Sequence, residues 1–324
     1  MAQIRLTLDP WPADYESAFE IDGFDEEDHV KVDTDVEGVA WQAIEPPKKE
    51  RPGVLYFIDG VRRVEARVIF DDGSGRIIRG LYGSAAVGAV RVESKMASFE
   101  EIRVKRLIVA GTGILPEAEL LTVGNTQLPF EPISVADTTP LGPVEELQKQ
   151  MRTDEASLCE ALVSKADCVF ADGPLTFFSG VTETTVGVIK RLIEPYISAL
   201  QFDLVRRLRT GQRTPLFLIA RPRPKYDRYS WYLRVGQPRV MDHDVAGVLR
   251  LEVRSGAGIE RAKQLADLSA GCIPSFVGEA FRDPRAPQNL LPIGALENKL
   301  RHRLGDSLTI RRAIEARLFE VSVA

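Results

Sequence analysis

Two aspartates in this sequence stand at the ends of short apolar runs and are each followed by glycine. Asp59 ends the run at 54–59 (VLYFID), and Asp172 lies within 167–175 (DCVFADGPL). Runs of β-branched and aromatic residues bounded by turn residues are typical of buried strands. Two strands that each deliver an aspartate to one sheet edge would bring two carboxylates together. Because Mg²⁺ and Mn²⁺ prefer oxygen ligands, this pair suggests a divalent metal site.

A third acid lies on the clearest helical pattern, residues 140–166. The apolar positions of this pattern share one helix face: Val144, Leu147, Met151, Leu158 and Leu162. Glu155 falls near the middle of that face. An unpaired buried carboxylate is costly, so it is normally paired or bound to a metal. Two interpretations are open: a salt bridge to Arg152 or another base, or a position facing the sheet beside Asp59 and Asp172.

The order of the surrounding elements predicts the fold class. Strands are expected at 3–8 (an edge strand), 54–59, 64–70, 76–92, 167–175, 215–220, 231–235 and 247–253, and helices at 140–166, 184–210 (kinked at Pro195), 259–268 and 293–304. Three antiparallel strands, a helix with an inward acid and a strand ending in Asp have the order of an RNase H-like domain. We therefore expect an α/β fold, with an RNase H-like mixed sheet flanked by helices, plus peripheral strands and helices.

Composition restricts the protein class and the domain organisation. The chain has 324 residues, 44% hydrophobic residues, a formal net charge of -5 and three cysteines. It has no apolar run near the length of a membrane span and no apolar stretch typical of a signal peptide, and its cysteines suit neither a disulfide framework nor a zinc cluster. We expect a cytoplasmic protein, with an acidic extension at 1–52 packed on a catalytic domain at 53–324.

Clustered carboxylates fit one kind of chemistry in particular. In two-metal phosphodiester cleavage, one ion activates the attacking water and the other stabilises the leaving oxygen. Carboxylates at close quarters repel each other, and metal ions compensate that repulsion. The acids Asp59, Glu155 and Asp172 therefore predict a metal-dependent phosphodiesterase.

At these residues the sequence resembles the NurA nucleases, in a bacterial form. The resemblance extends loosely over residues 50–310 and is carried by FIDGVRR (57–63), MRTDEASLCEAL (151–162), CVFADGPL (168–175), GVIKR (187–191) and RAPQNLLPIGALENKLRHRLGD (285–306). It implies an RNase H-like, Mn²⁺-dependent (or Mg²⁺-dependent) deoxyribonuclease. Such an enzyme would cleave single-stranded DNA and DNA ends as an endonuclease and 5′–3′ exonuclease. It would form a homodimer and act with a HerA-type hexameric translocase in end resection and double-strand break repair.

The resemblance also assigns residue roles. Asp59, Glu155 and Asp172 would be the ligands on the first strand, the helix and the fourth strand, and Glu297 would match a further acidic position on the last helix. Where archaeal members place a histidine one turn later, this chain has Arg301, followed by His302. Arg301 could contact the scissile phosphate, or it could pair with Glu297 on an exposed helix.

Basic residues near these acids are the candidates for binding DNA phosphates. They are Arg62, Arg63 and Lys190, together with Arg221, Arg223 and Lys225 in the run RPRPKYDRYSWY. That run mixes charge with Tyr229 and Trp231, as single-strand stacking surfaces do. A solvated loop with buried aromatic residues is the alternative.

Other functions remain open at this point. The protein could be a non-catalytic DNA-end adaptor that docks the translocase. An actin-fold phosphotransferase shares the strands that end in Asp-Gly but should show two related halves, which are not visible here. His29 and His243 suit surface loops better than metal sites. The sequence KRLIVAGTGILP lacks the spacing of a phosphate-binding loop, and Pro116 interrupts any helix after it.

Overall fold

A large mixed sheet with helices on both faces makes up the fold. The computed structural model describes residues 5–8, 30–47, 52–71, 73, 75–178, 183–192, 195–240 and 242–323, with side chains for all but 5–8 and 321–323. The strands are β1 (Arg5–Leu8), β2 (Lys31–Asp33), β3 (Val54–Asp71), β4 (Ile78–Glu93), β5 (Met96–Ala110), β6 (Glu119–Val123), β7 (Thr126–Ser134), β8 (Cys168–Asp172), β9 (Thr185–Ile189), β10 (Phe217–Ala220), β11 (Arg228–Arg234) and β12 (Val248–Arg254). The helices are α1 (Gly142–Leu162), α2 (Ala199–Arg207), α3 (Ile259–Cys272), α4 (Leu291–Leu304) and α5 (Ser307–Val323).

The centre of the sheet has an antiparallel meander beside the Asp172 strand, as predicted, but the meander strands differ from those expected. β3 contains the first two expected strands, β4 corresponds to the third, and β5 was not predicted. Strands β3, β4 and β5 form an antiparallel meander, and β8 and β9 add to the other side of β3 as parallel strands. The full order is β2-β10-β11-β12-β9-β8-β3-β4-β5-β7-β6, with β1 beside β3. The predicted fold class is confirmed: β3 is central, and the Asp172 strand lies directly beside it.

The two sheet faces pack against different helices. Tyr56 and Ile58 lie in a core with Leu147 of α1, whereas Phe57 and Phe170 lie in a core with Leu296 of α4. Side chains alternate between the faces of a strand. Asp59 and Asp172, two residues after Phe57 and Phe170, therefore lie on the α4 face.

Two expectations about secondary structure were wrong. The segments 54–59 and 64–70 belong to one 18-residue strand, β3, because residues 60–63 stay paired with β4. The region 184–210 is not one helix: its first part is β9, whose β-branched residues are buried between two strands, and only Ala199–Arg207 is helical. No helix therefore separates β8 from β9 in the described residues. The hairpin of β6 and β7 and the helix α5 were not predicted.

Part of the amino-terminal prediction can be compared with the structure. The expected strand at 3–8 is present as Arg5–Leu8 and pairs with the far end of β3. Residues 9–29, which include His29 and much of the acidic run, lie outside the described residues, as do residues 48–51. Within the part of the chain that is described, no helix has the length and apolar character needed to cross a membrane.

Candidate metal centre

Three carboxylates from distant parts of the chain converge at one point. Asp59, Asp172 and Glu297 each offer an oxygen, and these oxygens all lie within 4.8 Å of one another. The pairing of Ile58 with Ala171 makes Asp59 and Asp172 neighbours on adjacent parallel strands. Leu296 and Leu300 pack α4 against the same face, which places Glu297 over the two aspartates. Sheet register and helix packing together thus build the acidic cluster.

Glu155 approaches the cluster from the opposite face of the sheet. It is only 6% exposed. Its Oε1 lies close to Gly60: a Cβ atom added to Gly60 would be 2.5 Å from Glu155 Oε1. Glycine at position 60 therefore leaves the space that the Glu155 carboxylate occupies. Among the residues that the structure describes, this buried Oε1 has no hydrogen-bond partner.

Gly173, the glycine of the second Asp-Gly pair, leaves space for the guanidinium of Arg152 on α1. Arg152 donates from Nη1 to Glu155 Oε2 at 2.8 Å and to the main-chain oxygen of Asp172 at 2.7 Å. Gly173 has a φ of +98°, and a Cβ there would lie 3.3 Å from Arg152 Nη1. The expected salt bridge of Glu155 to Arg152 is present, and Glu155 faces the sheet at Gly60, on the face opposite to the side chains of Asp59 and Asp172.

Two further cations hold the carboxylates of the α4 face. Lys190 Nζ donates to Asp172 Oδ2 at 2.6 Å and to Asn289 Oδ1 at 2.7 Å. Arg285 donates to both oxygens of Glu297, at 2.9 and 2.7 Å. Asp283 joins the two, since it accepts hydrogen bonds from both Asn289 and Arg285. This chain of contacts ties the carboxyl end of β9 to the segment before α4.

Burial and charge shift the proton affinities of these groups. Burial raises the pKa of Asp59 well above its ordinary value, and the Asp172 carboxylate raises it further, while Lys190 acts in the opposite direction. Burial also raises the pKa of Glu155, although Arg152 lowers it. Burial alone would lower the pKa of Lys190, but Asp172 and Asp59 more than compensate and raise it. The site thus disfavours ionised Asp59 and favours an added positive charge.

The donor set fits a hard divalent cation. All the groups that converge are carboxylates, the ligand type that Mg²⁺ and Mn²⁺ prefer. The buried Glu155 Oε1 lacks a partner, and a buried carboxylate oxygen of this kind is normally compensated by a hydrogen bond or an ion. Asp59, Asp172 and Glu297 would hold the ion, with Glu155 reaching the cluster beside Gly60.

The predicted DNA-contact residues near the site have different environments. Lys190 follows strand β9, not a helix as expected, and lies within the acidic cluster. Arg62 is half-buried and donates to Gln148. Arg63 donates hydrogen bonds to the Glu65 carboxylate and to the main-chain oxygen of Gly305. Arg301 is 60% exposed and lies 3.8 Å from Glu297, while the close partner of Glu297 is Arg285.

The second predicted basic group lies at the other end of the sheet. Arg221, Arg223 and Lys225 lie in the loop between β10 and β11. In the sheet, Arg228 of β11 lies opposite Arg254 of β12. Arg250 of β12 lies opposite Ile189 of β9, the residue before Lys190. The loop therefore precedes β11 at the end away from Tyr232, the β11 residue that is level with Ile189. Trp231 is fully buried and donates to Ser269, so it offers no stacking surface.

Arg285 and Asn289 were not predicted from the sequence, whereas the salt bridge of Arg152 to Glu155 was one of the two interpretations given above. Arg152 has a visible signal, because it lies one helical turn before an inward-facing glutamate. Arg285 and Asn289 precede α4, and only the folded structure brings them to Glu297 and Lys190. His243 is exposed and contacts Asp244, which is consistent with the expected surface loop.

Comparison of the sequence with protein-family models and with curated proteins gave no match. Comparison of the structure did give matches. The chain is similar to the NurA nuclease from Sulfolobus solfataricus, with a TM-score of 0.50, 12% identity, and 89% of this chain and 90% of that chain covered. This likeness shows that the chain has a NurA-like fold.

Two more distant matches are also nuclease structures. One is the catalytic domain of human endonuclease V, with a TM-score of 0.33, 16% identity, and 78% of this chain and 85% of that chain covered. The other is a structure of NurA with manganese, with a TM-score of 0.20, 17% identity, and 44% of this chain and 25% of that chain covered.

Proposed function

We propose that this protein is a divalent-metal-dependent deoxyribonuclease that hydrolyses phosphodiester bonds in single-stranded DNA and at DNA ends. The observation that carries the proposal is the convergence of Asp59, Asp172 and Glu297 within 4.8 Å on a NurA-like fold. Divalent cations, when bound there, supply an activated water and stabilise the developing negative charge.

The residues of the chain divide this work between the two sheet faces. Asp59 and Asp172 hold the cation from the ends of the parallel strands, and Glu297 completes the set from α4. Glu155 adds its buried Oε1 from α1, and Arg152 fixes the carboxylate of Glu155 through its other oxygen. Arg285 and Lys190 balance the acidic charge. Arg285 is half-exposed beside Glu297, and its guanidinium would bind a substrate phosphate.

The cellular role is proposed from the likeness to NurA. We infer that the enzyme uses Mn²⁺ or Mg²⁺, forms a homodimer and acts with a HerA-type hexameric translocase. The reaction would then be resection of DNA ends during double-strand break repair. Support comes from the NurA-like fold and from the motifs around Asp59, Glu155, Asp172 and Glu297.

The test is cleavage of end-labelled single-stranded DNA by the purified protein with Mn²⁺, with Mg²⁺ and with chelator. We expect metal-dependent products that disappear in Asp59→Asn and Asp59→Ala. Asp172→Asn, which keeps the shape of the side chain beside Lys190, should also be inactive. Undiminished metal-dependent cleavage by these variants, with folding verified by circular dichroism, would refute the assignment.

The alternative is a non-catalytic adaptor that binds DNA ends for the translocase. Its specific support is that Lys190 and Arg285 neutralise Asp172 and Glu297 without metal. An adaptor would bind DNA equally in chelator and in Mn²⁺ and would release no nucleotides, alone or with the translocase. The same cleavage assay therefore separates the two functions.

A further inference from the structure

A cleft of about 640 Å³ opens beside the carboxylates, between the segment 278–290 and the start of α4. Its polar lining includes Arg282, Arg285, Arg301, Asn289 and Asn298. Arg285 and Asn289 belong at the same time to the acidic cluster, through Glu297 and Lys190. A ligand in this cleft would therefore lie next to the metal-binding carboxylates.

The charges of the cleft favour an anion. Its lining contains three guanidinium groups and two carboxylates, those of Glu279 and Asp283. The Asp283 carboxylate already accepts hydrogen bonds from Arg285 and Asn289. Arg282 is exposed, and Arg285 and Arg301 are 51% and 60% exposed, so all three can reach a ligand. The first turn of α4 also lines the cleft, and a helix amino terminus adds partial positive charge.

An exposed aromatic ring stands next to this cleft. Phe281 is 78% exposed, although large aromatic side chains are usually buried. Arg282 follows it in the chain, and the Arg282 guanidinium lies 5.4 Å from the centre of the Phe281 ring. A base can stack on such a ring only when it is unpaired, and an adjacent cation can bind its phosphate. The pair Phe281 and Arg282 thus has the chemistry of a single-strand contact.

We propose that Phe281, Arg282 and Arg301 form a subsite for single-stranded DNA beside the metal centre. Phe281 stacks on one unpaired base, and Arg282 and Arg301 bind the backbone phosphates that lead to the scissile bond. Arg285 lies between this subsite and Glu297 and binds the phosphate nearest the carboxylates. This subsite rests on the proposed function, because it places the substrate strand of that reaction.

The proposal predicts distinct effects on binding for the aromatic and the basic residues. In equilibrium binding of labelled oligothymidylate by the full chain in chelator, Phe281→Ala should weaken binding about 5- to 150-fold, the range that corresponds to one base stacked on an aromatic ring. The salt dependence of the binding constant of Phe281→Ala should equal that of the wild type, because the ring contacts no phosphate. Arg282→Ala and Arg301→Ala should each reduce the slope of log K against log salt by about 0.7, because each removes one phosphate contact.

Matched controls separate the subsite from general effects. Phe319 on α5 is 68% exposed and Arg312 on the same helix is exposed, and both lie on a helix that packs against β6, β1 and β3. Phe319→Ala and Arg312→Ala should bind oligothymidylate as the wild type does. Phe281→Ala should bind a duplex of equal length as tightly as the wild type, because paired bases cannot stack on the ring.

The outcomes distinguish this proposal from the proposed function. Wild-type affinity of Phe281→Ala for oligothymidylate, or an equal loss in Phe319→Ala, would overturn the subsite even if the protein cleaves DNA. Loss of affinity in Phe281→Ala alone would support the subsite even if no condition gives cleavage. Binding is measured in chelator, where metal-dependent cleavage cannot contribute.

Discussion

Replacing Gly60 by alanine adds one methyl group at the contact between the two faces of the site. The new Cβ would lie 2.5 Å from Glu155 Oε1 and 2.9 Å from Met151 Cγ. The first distance falls about 0.9 Å short of the 3.4 Å at which ordinary van der Waals contact begins. The Glu155 carboxylate is also held by Arg152 and buried, so it can move only with its ion pair.

The displacement sets the expected size of the effect. A misplacement of about 1 Å in a catalytic constellation can cost roughly 100-fold in rate, and we expect a loss of this order in Gly60→Ala. Overpacking by one methyl group typically costs about 1–3 kcal/mol of stability. The variant should therefore still fold, while its cleavage rate falls.

Gly83→Ala is the matched control for crowding against the same helix. Its Cβ would lie 2.6 Å from Leu147 Cδ2 of α1, and the three atoms nearest to it are all leucine methyl carbons. Cleavage rates with Mn²⁺ and unfolding in denaturant should be measured for both variants. We expect similar losses of stability but near wild-type cleavage in Gly83→Ala. Wild-type cleavage by Gly60→Ala would refute the reasoning that Glu155 acts from its position beside Gly60.

Two further predictions concern charge. Lys190→Met removes the counter-ion of Asp172, so the melting temperature should fall in chelator. It should recover in Mn²⁺, because a bound cation would replace the lysine charge, and an equal fall in both solutions would contradict this replacement. Burial alone would raise the pKa of Glu252, but Arg228 and Arg250 hold it at about 2, below its ordinary 4.5. Because the folded-state pKa is depressed, this group stabilises the protein above pH 4.5, and roughly 3 kcal/mol should be lost as the pH falls from about 4.5 to 2. Denaturant unfolding across this pH range should be flatter in Glu252→Gln, and an unchanged pH profile would show that Glu252 is not the group responsible.

The local patterns that were read correctly are those that burial enforces. The apolar run before Asp59 and the apolar face of α1 each pack into a core, so their periodicity is visible in the sequence. The meander and the parallel strand β8 then follow from connection order. The same patterns placed Glu155 on an inward face, where the structure has it.

The errors arise where tertiary contacts decide the structure. The segment 185–189 could be helix or strand by composition, and its pairing with β8 and β12 makes it a strand. β3 continues through Arg62 and Arg63 because this stretch stays paired with β4, and Gln148 and Glu65 accept hydrogen bonds from the two arginine side chains. The contact of Arg285 with Glu297 spans twelve positions and depends on how the segment before α4 folds, so no local spacing predicts it.

The cations within the site decide which substitution tests it best. Lys190 is bound to Asp172, so removing Asp172 takes away the ion-pair partner of a largely buried cation and can destabilise the protein strongly, whereas Arg285 keeps its contact with Asp283 when Glu297 is removed. Asp59 is 5% exposed and accepts a hydrogen bond from the Gly60 amide, and burial together with Asp172 disfavours its charge. Asp59→Asn removes that unfavourable charge and keeps the side-chain shape. We therefore expect Asp59→Asn to melt in chelator at or above the wild-type temperature while losing cleavage, whereas a lower melting temperature would show that the Asp59 charge stabilises the metal-free fold.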